Sequence, residues 1–207
     1  MLKELHENVC SLLYELPDHN LVCLTSGNTS ARDQKSGLVV IKPSGVPYKE
    51  LTADKMVIVD AEGKIVWGDL KPSSDTFSHL YIYDHMQDIQ GIVHTHSPYA
   101  TAFAAAGSSI PVLFTETAEE FGGEIPCSEF VLIGDEAIGE HVIKFAGKTH
   151  AVVLKKHGNF TMGETPQKAL DLAILAENSA RIAWLARALG ANEPIPDEVI
   201  QKLYYRQ

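Results

Sequence analysis

The chain has 207 residues, 45% of them apolar, enough for one domain (1–207) with a substantial core. A formal charge of −10 and a pI near 5.3 argue against bulk electrostatic binding to nucleic acid or anionic membranes, and leave room only for a local small-anion pocket. No apolar run approaches the ~20 residues that span a bilayer, and the charged, helix-like start is unlike a secretion signal. Cys10, Cys23 and Cys127 form no close motif and one must stay unpaired, which suits a reducing cytoplasm.

Apolar positions at Leu5, Val9, Leu12, Leu13 and Leu16 predict an amphipathic helix over 2–16, stopped by Pro17. Residues 21–24 and 38–41 read as strands flanking a polar loop over 25–35, and 56–60 with 64–67 as a hairpin. A helix over 74–86, a strand over 91–96 and a small-residue helix over 98–106 follow. Then come a short strand (129–133), a helix (135–145), two strands (151–154 and 160–162) and a long Ala/Leu helix over 166–189, ended by Gly190. The hairpin implies antiparallel pairing, so the expected fold class is α/β, a largely antiparallel sheet covered by helices.

His94 and His96 close the apolar run Gly91-Ile92-Val93. On a strand, residues i and i+2 share a face, about 6.5–7 Å apart, and their imidazoles can converge on one ion. His157 ends a second apolar run, Ala151-Val152-Val153-Leu154, and three imidazoles would leave a position open for water or substrate. Asp75 is a fourth candidate, as a ligand or as a base, and it also suits a helix cap beside Ser73 and Ser74. His6, His19, His79, His85, His141 and His150 read as ordinary. The segments Ser26-Gly27-Asn28-Thr29-Ser30, Lys42-Pro43-Ser44-Gly45 and Ser73-Ser74 combine glycine, hydroxyls and one cation. Together they suggest a phosphate cradle beside the metal, although each alone is also a common turn.

Gly27-Asn28, Lys42-Pro43-Ser44-Gly45, Pro72-Ser73-Ser74-Asp75, His94-Thr95-His96-Ser97, Ile125-Pro126-Cys127 and His157-Gly158 resemble, in this order, the signature blocks of the class II aldolase/adducin family of zinc-dependent sugar-phosphate enzymes. The resemblance implies a three-layer α/β/α fold and a homotetramer with active sites between subunits. It also implies zinc, or Mn2+ or Co2+, on His94, His96 and His157, with Gly27, Asn28, Lys42, Ser44, Gly45, Ser73 and Ser74 around the phosphate of a ketose.

Within the family, Ser-Ser-Asp with Lys-Pro-Ser-Gly is more similar to the L-ribulose-5-phosphate 4-epimerases. The L-fuculose-1-phosphate aldolases typically carry Glu at the position of Asp75, as their base. The epimerases usually have Thr-Thr-His-Ala-Asp, the Asp being an acid/base, where this chain has Thr115-Glu116-Thr117-Ala118-Glu119. By resemblance Glu119 takes that role, and Tyr205 that of a second acid/base tyrosine near the C-terminus. The residues themselves also permit a solvated surface acid at Glu119 and a frayed terminus at Tyr205.

The implied reaction is retro-aldol cleavage through a metal-stabilised enediolate. An epimerase recloses the bond on the other face of the aldehyde, whereas an aldolase releases the aldehyde. A non-catalytic adducin-like module is the reading from another class, and the three histidines with Asp75 argue against it.

Overall fold

Two helical layers enclose a single sheet because alternate strand residues are apolar toward both. The computed structural model describes residues 2–205. The strands are β1 (Asn28–Arg32), β2 (Val39–Ile41), β3 (Val57–Val59), β4 (Ile65–Trp67), β5 (Gly91–Thr95), β6 (Ala151–Val153) and β7 (Asn159–Gly163). They run in the order β4-β3-β2-β1-β5-β7-β6, and every neighbouring pair is antiparallel. The helices are α1 (Lys3–Asp18), α2 (Thr76–His85), α3 (Pro98–Ala106), α4 (Thr115–Phe121), α5 (Ala137–Ala146), α6 (Pro166–Ala188) and α7 (Asp197–Tyr204).

On one face Ala31, Val40, Ile58 and Val93 meet Val9, Leu12, Leu13 and Leu16 of α1 and Ala169, Leu170 and Ala173 of α6. On the other, Val39, Ile41, Val57, Val59, Ile92 and Met162 meet Leu80 and Ile82 of α2 and Ile138 and Val142 of α5. Each fully buried Leu, Ile or Val contributes ~1.5–3 kcal/mol, so the period-two pattern fixes which face each strand residue takes. His94 has the parity of Ile92 and therefore points to the α2 side, where Asp75 enters α2. Among the described residues no helix is long and apolar enough to cross a membrane.

The expected strand over 21–24 does not form. The strand is β1, inside the stretch expected to be a polar loop. Its Asn28, Thr29 and Ser30 are buried, and Asn28 and Ser30 find partners on α2 or at its start, which polarity alone could not reveal. Residues 129–133 form no strand either; only Cys127 bridges Val153, and Phe130, Leu132 and Ile133 are exposed. Helices α4 and α7 were not expected. They pair with each other, burying Ala118 and Ile200 in a small cluster with Val112.

Candidate active site

One strand, the residue after its end and one turn bring the histidines together. His94 lies on β5 between Asn28 of β1 and Phe160 of β7, and His96 follows one residue beyond the strand. His157 sits in the tight turn between β6 and β7, which closes by Leu154 N–H donating to the Gly158 carbonyl at 2.7 Å. Gly158 is required by close approach. A Cβ there would lie 2.4 Å from the Thr95 carbonyl oxygen and 2.7 Å from His96 Cδ2.

The ligand atoms offered by His94, His96 and His157 all lie within 4.8 Å of one another. His94 Nδ1 is 3.0 Å from the Asn159 carbonyl oxygen, which can only accept, so Nδ1 carries the proton and Nε2 keeps its lone pair for the site. That Nε2 is 3.0 Å from His96 Nε2, close to the ~3.3 Å edge of a tetrahedron with zinc–nitrogen arms of 2.0–2.1 Å. The His94 ring stacks on Phe160, with centroids 4.3 Å apart, which fixes its plane. Burial lowers the basicity of all three imidazoles, that of His94 to about 3, so they are held neutral, the form that binds metal. His157 Nδ1 is buried without a protein partner. This donor set fits one divalent cation.

Asp75 precedes α2, but its carboxylate makes no cap to the helix. Instead Oδ2 accepts from Asn28 Nδ2 at 2.6 Å and lies 3.9 Å from His94 Nε2. Burial opposes its ionisation, yet attraction to His94, His79 and His157 as these rings take up protons, with the hydrogen bond from the Asn28 amide, outweighs that and holds it below the usual carboxylate range. Asn28 Oδ1 has no partner among the described residues.

The histidines and Asp75 form one wall of a cavity of about 290 Å³. Gly27, Asn28, Lys42, Ser44, Gly45, Ser73 and Ser74 line the rest, with Thr25, Ser26, Pro43 and Ile133. The cradle segments are tied by Ser73 N–H donating to the Lys42 carbonyl at 3.1 Å and Ser44 N–H to the Lys71 carbonyl at 2.9 Å. Gly27 adopts φ 72°, and a Cβ would meet Val22 Cγ1 at 2.6 Å and the His94 carbonyl oxygen at 2.8 Å. Its role on this geometry is steric. Lys42 is only 2% exposed, and among the described residues it makes no ion pair. Burial lowers its ammonium to about 8.

Residues 7–184 match the family described as Class II Aldolase and Adducin N-terminal domain. The chain belongs to this family. Over its full length it is 41% identical to L-ribulose-5-phosphate 4-epimerase UlaF of Salmonella paratyphi B, covering 96% of that protein, and 40% identical over the same shares to the UlaF of Salmonella typhi. A solved L-fuculose 1-phosphate aldolase superposes with a TM-score of 0.93 at 26% identity, covering 98% of this chain and 95% of the other. The L-fuculose-1-phosphate aldolase of Thermus thermophilus gives a TM-score of 0.78 at 26% identity, over 92% and 98%.

Of the residues that the class II aldolase/adducin resemblance singled out, Glu119 and Tyr205 do not line this cavity. Glu119 is exposed on α4, and Tyr205 follows α7 with 73% exposure. Four residues that shape the site carried no sequence signal. Asn159 seats His94, and its side chain accepts from Thr95 Oγ1 at 2.6 Å. Phe160 separates His94 from His79. His79, read as ordinary, is fully buried, 2.7 Å from Ser30 Oγ, and lowered by burial to about 4. Ile133 lines the mouth although it is 69% exposed.

Proposed function

We propose that this chain is a metal-dependent sugar-phosphate enzyme that breaks and remakes a carbon–carbon bond, first of all an L-ribulose-5-phosphate 4-epimerase. The observation that carries this reading is one small cavity with three convergent neutral imidazoles on one wall and a buried, unpaired cation among hydroxyls and glycine on another. The first suits a divalent cation, the second a phosphate, and a phosphorylated ketose presents both a chelating hydroxy-ketone and a phosphate.

A cation on His94, His96 and His157 would supply a Lewis acid at the ketose carbonyl. Zinc suits this donor set, and Mn2+ or Co2+ are compatible with it. The chain does the rest. Lys42, Ser44, Ser73 and Ser74 hold the phosphate with charge and hydrogen bonds, and Asn28 reaches the same space. Asp75, fixed by Asn28, places a carboxylate beside His94, as a fourth ligand or as a base for a substrate hydroxyl. Epimerisation needs a proton donor and acceptor on opposite faces of the aldehyde, and Glu119 and Tyr205 are assigned to those roles. Because neither lines the cavity of its own chain, each would act in the site of a neighbouring subunit of a homotetramer. A reducing cytoplasm suits the three free cysteines.

The likeness to fuculose-phosphate aldolases supports an aldolase as the second reading. Purified protein offered L-ribulose 5-phosphate and L-fuculose 1-phosphate separately distinguishes the two. Formation of D-xylulose 5-phosphate is the expected result. A free aldehyde with dihydroxyacetone phosphate would replace the epimerase by the aldolase.

A further inference from the structure

Lys42 presents a physical problem that the cavity wall alone does not solve. Its ammonium is buried, among the described residues no carboxylate neutralises it, and burial draws its basicity down to about 8. A buried cation without an ion pair must be held by dipoles and π-electrons or lose its proton. Three groups hold this one. Nζ donates to the Thr25 carbonyl at 3.0 Å and, at the 3.5 Å limit, to the Pro43 carbonyl, and it lies 5.1 Å from the ring centroid of Tyr48.

Tyr48 does not line the cavity; it stands behind it, 6% exposed, in the short 3-10 turn Tyr48–Glu50. Its hydroxyl donates to the Ser26 carbonyl at 2.8 Å. Burial pushes that hydroxyl well above its usual range, so it remains a donor. One side chain thus grips two of the three cradle segments: the ring faces the Lys42 ammonium, and the hydroxyl pins the turn that leads into Gly27 and Asn28. That turn also carries the Thr25 carbonyl, the nearer of the two carbonyls that accept from Nζ.

We propose that Tyr48 is a positioning residue for phosphate, keeping the Lys42 ammonium and the Thr25–Asn28 turn at the spacing that an oxyanion group bridges. None of these contacts neutralises the cation, so its charge stays available to substrate. A glutamate in place of the ring would hold Lys42 more strongly and cancel the attraction. The inference rests on the phosphate reading of the cavity, and the two fail in different ways.

The test is calorimetric binding of inorganic phosphate to the metal-loaded protein, with steady-state kinetics on the phosphorylated ketose. Tyr48→Phe keeps the ring and loses the hydrogen bond; Tyr48→Leu loses both. Expected are a phosphate Kd about threefold weaker in Y48F and about tenfold or more weaker in Y48L. KM should rise in step while kcat and metal content stay near wild type, the pattern of lost uniform binding. Phosphate affinity equal to wild type in Y48F and Y48L overturns the proposal, as does a parallel fall of kcat and metal content without a KM effect. If Y48L does not fold, Y48F decides alone, and an unchanged Kd there overturns the proposal. Wild-type phosphate binding that is indifferent to Lys42→Met would instead remove the phosphate reading itself, and the role of Tyr48 with it.

Discussion

Gly158 shows how much of this site is decided by the absence of one methyl group. The His157 turn runs so close to β5 that a Cβ would stand 2.4 Å from the Thr95 carbonyl and 2.7 Å from His96 Cδ2. Backbone cannot yield cheaply at a central strand, so His96 must swing or the turn must lift. Gly158→Ala is therefore expected to cost about 1–3 kcal/mol of stability by overpacking. It should also lower bound metal by more than that loss accounts for, because one imidazole leaves the triad. Chemical denaturation of the metal-free protein and elemental analysis of the loaded protein read the two effects separately. Full metal content with unchanged stability would mean that the turn relaxes freely. In the sequence, Gly158 stands out only as the partner of His157 in a motif. Its reason, a backbone contact with a strand more than sixty residues earlier, belongs to the fold.

Between elements, α2 is clamped to β1 by a buried polar chain rather than by apolar contact alone. His79 Nδ1 lies 2.7 Å from Ser30 Oγ, which is also 2.8 Å from the Tyr83 hydroxyl, and the His79 ring meets Phe160 edge-on. Burial lowers His79 from 6.5 to about 4. The unfolded chain then takes up a proton more readily than the folded one. The contribution of neutral His79 is whole above pH 6.5 and drains away as pH falls through 6.5 toward 4, reaching about 3 kcal/mol. Urea unfolding at pH 7 and pH 4 should show wild type losing about that much more than His79→Gln, which does not titrate. Parallel losses in the two proteins would refute the clamp.

The clamp also explains what could and could not be read from the sequence. Elements with apolar periodicity, such as α1, α3, β5 and α6, were found to within about two residues. Strand β1 was missed because Asn28-Thr29-Ser30 look like a loop, and they become a strand only when Asp75, just before α2, and His79 and Tyr83 on it become partners. The stretch 129–133 erred in the opposite direction: Phe130, Leu132 and Ile133 carry strand-like chemistry but face outward. The convergence of His94, His96 and His157 was legible because the first two stand two residues apart at the end of one apolar run and the third at the end of another. Asn159, Phe160 and Tyr48 were not, since they act on other functional residues and not on the ligand.

At the scale of the molecule, one chain is an incomplete catalyst under the proposed reading. The cavity holds the three histidines that could bind a metal and the proposed cradle, yet Glu119 and Tyr205 stand elsewhere. Ile133 at the cavity is exposed, as are Phe130 and Leu132 in the same stretch and Trp184 and Leu185 on α6, apolar surface of the kind that a second copy covers. If Glu119 serves the site of a neighbour, two inactive variants must repair each other. His94→Ala removes the metal wall but keeps the acid; Glu119→Gln does the reverse. In randomly mixed rings formed by co-expression, about a quarter of the sites would pair an intact metal wall with an intact acid, since each subunit contributes one half of each interface. Activity near that fraction of wild type, well above the sum of the two variants alone, is the expected result. A mixture no more active than that sum would place the proton donor within the chain that holds the histidines, and Glu119 would lose its role.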